Sequence, residues 1–241
     1  MPPFYRTSGA HAVFTIPMGR TLAAAAGGAA LALAWTGPAA AAPVMEPLKP
    51  CYVSVKPSVR EPVNLRAGGF TPNATIDISI NGVLQTGVPA DAAGSVSGPG
   101  IVAPFEPTGS IAPFTVTLAE EGAPQNTVSA SSKVAGLALT VRPRRARPSS
   151  RVRFRGLGFT APRPVWAHYL FHGRLRKTVR FVRRSRGDCG AFSVRARQIP
   201  VRRPRTGEWT LQVDQQRIYS AQPDSVYVRL GITVARTLAG A

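Results

Sequence analysis

The chain has 241 residues, with 30 Lys+Arg against 11 Asp+Glu for a formal net charge of +19, and with 23 Gly, 23 Pro, three His and two Cys. That length allows one large or two small domains. Gly and Pro are spread as punctuation, which excludes a collagen-like or single low-complexity chain and fits many short strands joined by turns. Acids and histidines are too few for most acid–base enzymes.

The N-terminus reads as a signal peptide. Met18-Gly19-Arg20 is a short basic start, Leu22 to Trp35 is apolar, and Thr36-Gly37-Pro38 breaks the run. Ala39-Ala40-Ala41 then meets the small-x-small cleavage pattern, with the cut expected after Ala41. Residues 1–17 do not fit a signal, so translation is expected from Met18 rather than Met1. The apolar run is too short to span a bilayer comfortably. The mature chain is therefore expected to be secreted or held peripherally at the cell surface, without an integral membrane span.

In the first unit, Tyr52-Val53-Ser54-Val55 opens and Val63 to Ala67 follows. Thr75 to Ile80 alternates, with Ile76, Ile78 and Ile80 on one face. Asn81-Gly82 is a two-residue hairpin turn, and Asp91 to Gly94 is another turn. Ser95 to Ala103, Phe114 to Leu118 and Thr127 to Val134 complete about seven strands. The second unit begins at Leu137 to Val141, and Pro143 to Pro148 is a polar break. Arg151 to Arg155, Val165 to Phe171, Leu175 to Val182, Phe192 to Ile199, Trp209 to Val213 and Ser225 to Val234 follow.

Two phrases repeat. Gly68-Gly69-Phe70-Thr71-Pro72 returns as Leu157-Gly158-Phe159-Thr160-Ala161-Pro162, with the phenylalanines 89 residues apart. That period is about one immunoglobulin-like sandwich. The expected fold is all-β: two tandem immunoglobulin-like antiparallel sandwiches over 42–136 and 137–236, after a leader of 1–41 and before a tail of 237–241. Each corner phenylalanine should plug a core, and the glycine before it should take a backbone shape that a β-carbon resists. Trp166 and Trp209 read as core or cover residues.

Charge is split between the units. Residues 42–136 hold five Lys+Arg against seven Asp+Glu, and residues 137–241 hold 23 against four. A GC-rich genome raises Arg without functional demand, but it would raise it in both units. The asymmetry points to an anionic contact for the second.

In a strand, residues two apart share a face. Arg151, Arg153 and Arg155 should line one face while Val152 and Phe154 enter the core, and Arg195 and Arg197 should do the same around Val194 and Ala196. In an immunoglobulin-like topology these strands are neighbours, and Arg142 on the first strand joins them. The expected site is an anion-binding ladder of Arg142, Arg151, Arg153, Arg155, Arg195 and Arg197, since the planar guanidinium suits phosphate and carboxylate. Three further clusters, Arg174 to Lys177, Arg183 to Arg186 and Arg202 to Arg205, read as loops or loop edges. The competing reading of all this charge is a solvated, solubilising surface.

Cys51 and Cys189 fall one in each unit. An exported protein admits a bond between them, a pair of buried thiols or intermolecular pairing. His168 and His172 read as sharing a strand face, but without further ligands they indicate no metal site. Gly94-Ser95-Val96-Ser97-Gly98 lacks the central Ser of a nucleophile elbow. No cofactor loop and no credible Ser/His/Asp trio appears, so a non-enzymatic binding or adhesion module is expected. Its partner is expected to be an anionic cell-envelope polymer or lipid headgroups. Extracellular nucleic acid, or a purely structural role with a protein partner, are the alternatives.

Cys51-Tyr52-Val53-Ser54, Gly69-Phe70-Thr71-Pro72, Ala167-His168-Tyr169, Asp188-Cys189-Gly190 and Gly207-Glu208-Trp209 together resemble a group of secreted actinobacterial proteins with tandem immunoglobulin-like (IPT/TIG-like) units. The resemblance spans most of residues 50–236. It implies architecture and no catalytic residues, and a Cys51–Cys189 pairing is one use it suggests for the two cysteines.

Overall fold

A computed structural model describes residues 42–235. The signal-peptide reading and the tail of 237–241 lie outside the described residues. The first half contains β1 (Val44–Met45), β2 (Tyr52–Lys56), β3 (Val59–Arg60), β4 (Pro62–Gly68), β5 (Thr75–Ile80), β6 (Val83–Pro89), β7 (Val96–Val102), β8 (Ile111–Glu120) and β9 (Ala123–Gly136). The second contains β10 (Ala138–Arg142), β11 (Arg151–Leu157), β12 (Val165–Phe171), β13 (Arg174–Val182), β14 (Phe192–Arg197), β15 (Gly207–Asp214) and β16 (Val228–Val234).

Each half is a two-sheet sandwich. In the first, sheet β1-β4-β7 faces sheet β3-β2-β9-β8-β5-β6; in the second, β10-β11-β14 faces β13-β12-β15-β16. This is the strand order of an immunoglobulin-like fold of the fibronectin type, with the fourth strand on the sheet of the third. The protein is all-β over its described residues: two tandem immunoglobulin-like sandwiches.

Alternation builds each core. Val63 and Leu65 of β4, Ile76 and Ile78 of β5, and Phe114, Val116 and Leu118 of β8 fill the first. Val152 and Phe154 of β11, Tyr169 and Phe171 of β12, and Trp209, Leu211 and Val213 of β15 fill the second. Each such side chain contributes roughly 1.5–3 kcal/mol by leaving water. Trp209 is a core residue, whereas Trp166 is half-buried on the opposite face of its sheet.

The repeated corner has one physical cause in both sandwiches. Gly69 and Gly158 share φ 91°, in the left-handed region, and Phe70 and Phe159 are buried. Phe70 N–H donates to the Gly94 carbonyl and Phe159 N–H to the Gly190 carbonyl, both at 3.1 Å. A β-carbon on Gly94 would lie 2.0 Å from the Phe70 carbonyl oxygen, and one on Gly190 would lie 2.1 Å from that of Phe159. The corner is thus clamped between two backbones that touch. Gly190→Ala is expected to cost roughly 1–3 kcal/mol by overpacking, read from denaturant midpoints. Gly173→Ala, also at positive φ but in open space, should lose less; equal losses would refute the clamp.

The sandwiches are tied at several points. Leu137 alone separates β9 from β10, and its N–H donates to the Ser54 carbonyl at 2.8 Å. Val53 of β2 packs into the second core while its neighbour Tyr52 packs into the first. Cys51 and Cys189 form a disulfide between the halves, packed with Ala135 and Leu157. Lys133 pairs with Asp188 beside it.

Three points of the sequence reading are corrected or sharpened. The strand expected over Leu175–Val182 begins one residue earlier, so the Arg174 to Lys177 cluster, which read as a loop or loop edge, lies wholly on β13; the hairpin turn is only His172-Gly173. His172 is accordingly exposed in that turn at φ 48° and shares no face with His168, which is fully buried. The third point is β6, the strand that the Asn81-Gly82 hairpin turn calls for but alternation did not bound; it is an edge strand with exposed Val83 and Leu84.

Candidate functional site

The outer face of β10-β11-β14 carries the arginines. On β11 the period of two sends Val152 and Phe154 into the core and Arg151, Arg153 and Arg155 outward. On β14 Val194 and Ala196 pack inward, and Arg195 and Arg197 are exposed. Antiparallel register then sets the neighbours. Arg153 stands between Arg142 of β10 and Arg195 of β14, and Arg151 faces Arg197. Arg155 instead lies between Thr140 and Ser193. The sheet therefore brings all six residues onto one face, with Arg155 at its less crowded end.

Directly opposed side chains in a sheet have Cβ atoms about 5 Å apart, where like charges destabilise. No carboxylate relieves them. The carboxylates with a basic partner among the described residues are Glu61 with Lys49, Asp188 with Lys133 and Asp214 with the His168 ring, and none of these partners is an arginine. The face offers only guanidinium donors and small hydroxyls, an arrangement that favours a ligand supplying several anionic oxygens at strand spacing. It presents no aromatic ring between the arginines, since Tyr169 and Phe171 are in the core.

A second polar cluster lies on the outer face of the other sheet. His168 of β12 and Gln212 and Asp214 of β15 are fully buried there, beneath the segment 215–227. His168 Nε2 meets two acceptors, Asp214 Oδ1 at 3.3 Å and the Gln216 carbonyl at 3.1 Å, so it carries the proton. Nδ1 lies 3.0 Å from Thr178 Oγ1. Gln212 Nε2 donates to Asp214 Oδ2 and to the Ser220 carbonyl, both at 2.8 Å. Arg229 Nε donates to Gln212 Oε1 at 2.9 Å, and its Nη2 to the Ala221 carbonyl.

Burial raises the Asp214 carboxyl, but hydrogen bonds from His168, Gln212 and the Gln216 N–H, with the His168 charge, outweigh it and hold it below its ordinary range. Hydroxyl, imidazole and carboxylate stand in line, a trio that sequence reading did not find. The order is reversed from a hydrolase triad, whose carboxylate binds Nδ1 and whose hydroxyl binds Nε2. With no exposed surface on His168, the cluster clasps 215–227 rather than presenting a nucleophile. Its signal was polar alternation at His168, Gln212 and Asp214, indistinguishable in sequence from a solvated face.

Among the described residues, no group of three or more His, Cys, Asp or Glu side chains could hold a metal ion, and no helix is long and apolar enough to cross a membrane.

The chain matches no protein-family model and no curated protein sequence. Solved structures similar to it include fibronectin(III)-like modules of Clostridium thermocellum CbhA, at 7% identity and a TM-score of 0.25 over 80% of this chain and 93% of that one. The FN1–FN3 domains of chicken CNTN1 match at 8% identity and a TM-score of 0.28, over 78% of this chain and 66% of that one. A tandem pair of titin Ig domains matches at 14% identity and a TM-score of 0.24, over 80% of this chain and 97% of that one. The strand orders of the two sandwiches, not these low scores, define the architecture.

Proposed function

We propose that this is a secreted, non-catalytic adhesion module whose second sandwich holds it on an anionic envelope component, a phosphate-bearing or carboxylate-bearing polymer or lipid headgroups. Many cell-surface domains share this architecture, but a fold does not name a function. The reading rests on one observation: the register aligns Arg142, Arg153 and Arg195 across three strands, and Arg151 with Arg197, with no carboxylate among them. Such a face is costly alone and is relieved by a polyanion. Affinity should be electrostatic, broad in specificity and weakened by salt. The lack of an interleaved aromatic platform disfavours single-stranded nucleic acid, which gains about 1–3 kcal/mol per stacked base.

The protein is expected to stay on isolated envelopes at low salt and to leave over roughly 0.1–0.5 M salt, as phosphate-type contacts do. It should be held less well on duplex DNA. The Arg153→Glu/Arg197→Glu protein, both positions being on the outer face, should keep or raise its unfolding midpoint, since each Glu then faces arginine, and lose most retention. Unchanged retention would refute the sheet-face site, and equal retention on DNA would favour nucleic acid.

A further inference from the structure

The two sandwiches differ at one edge. In the first, β9 has β2 beside it in parallel, with Tyr52 opposite Val134, Val53 opposite Ala135 and Ser54 opposite Gly136. In the second, β16 holds the corresponding place, yet among the described residues it pairs only with β15. The segment leading from β10 to β11 passes this edge without a backbone hydrogen bond to it. Between them runs a groove of about 1160 Å³. Leu230, Ile232 and Val234 line one wall; Arg142, Arg144, Arg145 and Arg147 line the other, with no carboxylate among the lining residues.

The opposite edge of the same sheet is guarded differently. β13 exposes Arg174, Arg176, Lys177 and Arg180, the charged residues that deter strand addition. On β16 the outward side chains are Arg229, Gly231 and Thr233, and Arg229 is turned back onto Gln212 and the Ala221 carbonyl. One edge is protected by free charge and the other is not.

The geometry points to β16 as a strand-accepting edge. We infer that an extended, acidic segment of a partner protein adds beside it in parallel, as β2 does beside β9. Main-chain hydrogen bonds to β16 supply affinity and alternate side chains supply specificity, as in other strand additions. Apolar side chains of the segment cover Leu230 and Ile232, and its carboxylates meet Arg144 and Arg145. This site borders the arginine face at Arg142, which lines both, but Arg144, Arg145 and β16 lie outside that face.

The test uses the isotope-labelled protein and a short synthetic peptide that alternates valine with threonine and ends in glutamates. A second peptide carries lysines in place of the glutamates. The acidic peptide should bind saturably and raise hydrogen-exchange protection at Val228–Val234. Arg144→Glu/Arg145→Glu should weaken it on the order of ten-fold, because two exposed ion pairs are lost and two repulsions gained. The lysine peptide should not bind, a comparison that stands even if the variant fails to fold. The inference is overturned by no saturable binding, by equal binding of the lysine peptide, by protection on β11 and β14 instead, or by protection in the free protein of the β16 amides that point away from β15.

Discussion

Asp214→Ala is expected to be the most damaging single substitution outside the cores. The carboxylate accepts from His168 Nε2, Gln212 Nε2 and the Gln216 N–H, and it is fully buried. Removing it leaves the Gln216 N–H and one Gln212 amide hydrogen without an acceptor, and His168 Nε2 with the Gln216 carbonyl alone. Each buried donor so orphaned costs about 1–3 kcal/mol. With two donors affected, the loss should be about 2–6 kcal/mol in a denaturant titration. Asp214→Asn should lose less, because the carboxamide oxygen still accepts. If alanine and asparagine behave alike, the network does not hold the segment 215–227.

The same carboxylate sets a pH dependence. Its pKa is lowered in the folded state, so its stabilisation is complete above the ordinary carboxylate range. It disappears as pH falls through the folded value. The wild type should lose stability at acid pH by more than Asp214→Asn, which lacks the titrating group. Parallel pH profiles would contradict this role.

The second large effect belongs to the disulfide. It closes a stretch of 138 residues, and chain-entropy arithmetic for so long a loop gives about 4–5 kcal/mol. Cys51→Ser/Cys189→Ser should lower Tm on the order of 10 °C, since a chain of this size shifts about 2–4 °C per kcal/mol. The damage should concentrate where the halves meet. Hydrogen exchange should rise first around Ser54 and Leu137, whose backbone bond spans the junction, and only later at Ile78 or Leu211 in the cores. Loss that begins in the cores would show that the bond supports the sandwiches rather than their junction.

What was legible in the sequence was whatever local chemistry dictates. A glycine at positive φ before a buried phenylalanine must recur wherever that corner recurs, so the repeat at Phe70 and Phe159 announced two copies of one unit. Period-two alternation placed Arg151, Arg153 and Arg155 on one face before any register was known. The neighbouring of β11 and β14 followed from topology alone. What stayed hidden depends on contacts remote in sequence. His168 and Asp214 are polar residues on an outward face, and only the segment 215–227 folded over them makes them buried. That segment carries no alternation to reveal it. The glycine partners Gly94 and Gly190 were likewise invisible, because their constraint is a backbone from another strand. Arg174 to Lys177 read as a loop edge because the start of β13 is exposed on both faces and shows no alternation.

The most direct test of the arginine face is chemical footprinting of the guanidinium groups on protein retained by isolated envelopes at low salt. Arg142, Arg151, Arg153, Arg155, Arg195 and Arg197 should be protected from an arginine-selective dicarbonyl. Arg174, Arg176 and Arg180 on β13 should react as they do in the free protein. Protection spread evenly over all exposed arginines, or confined to β13, would contradict the account.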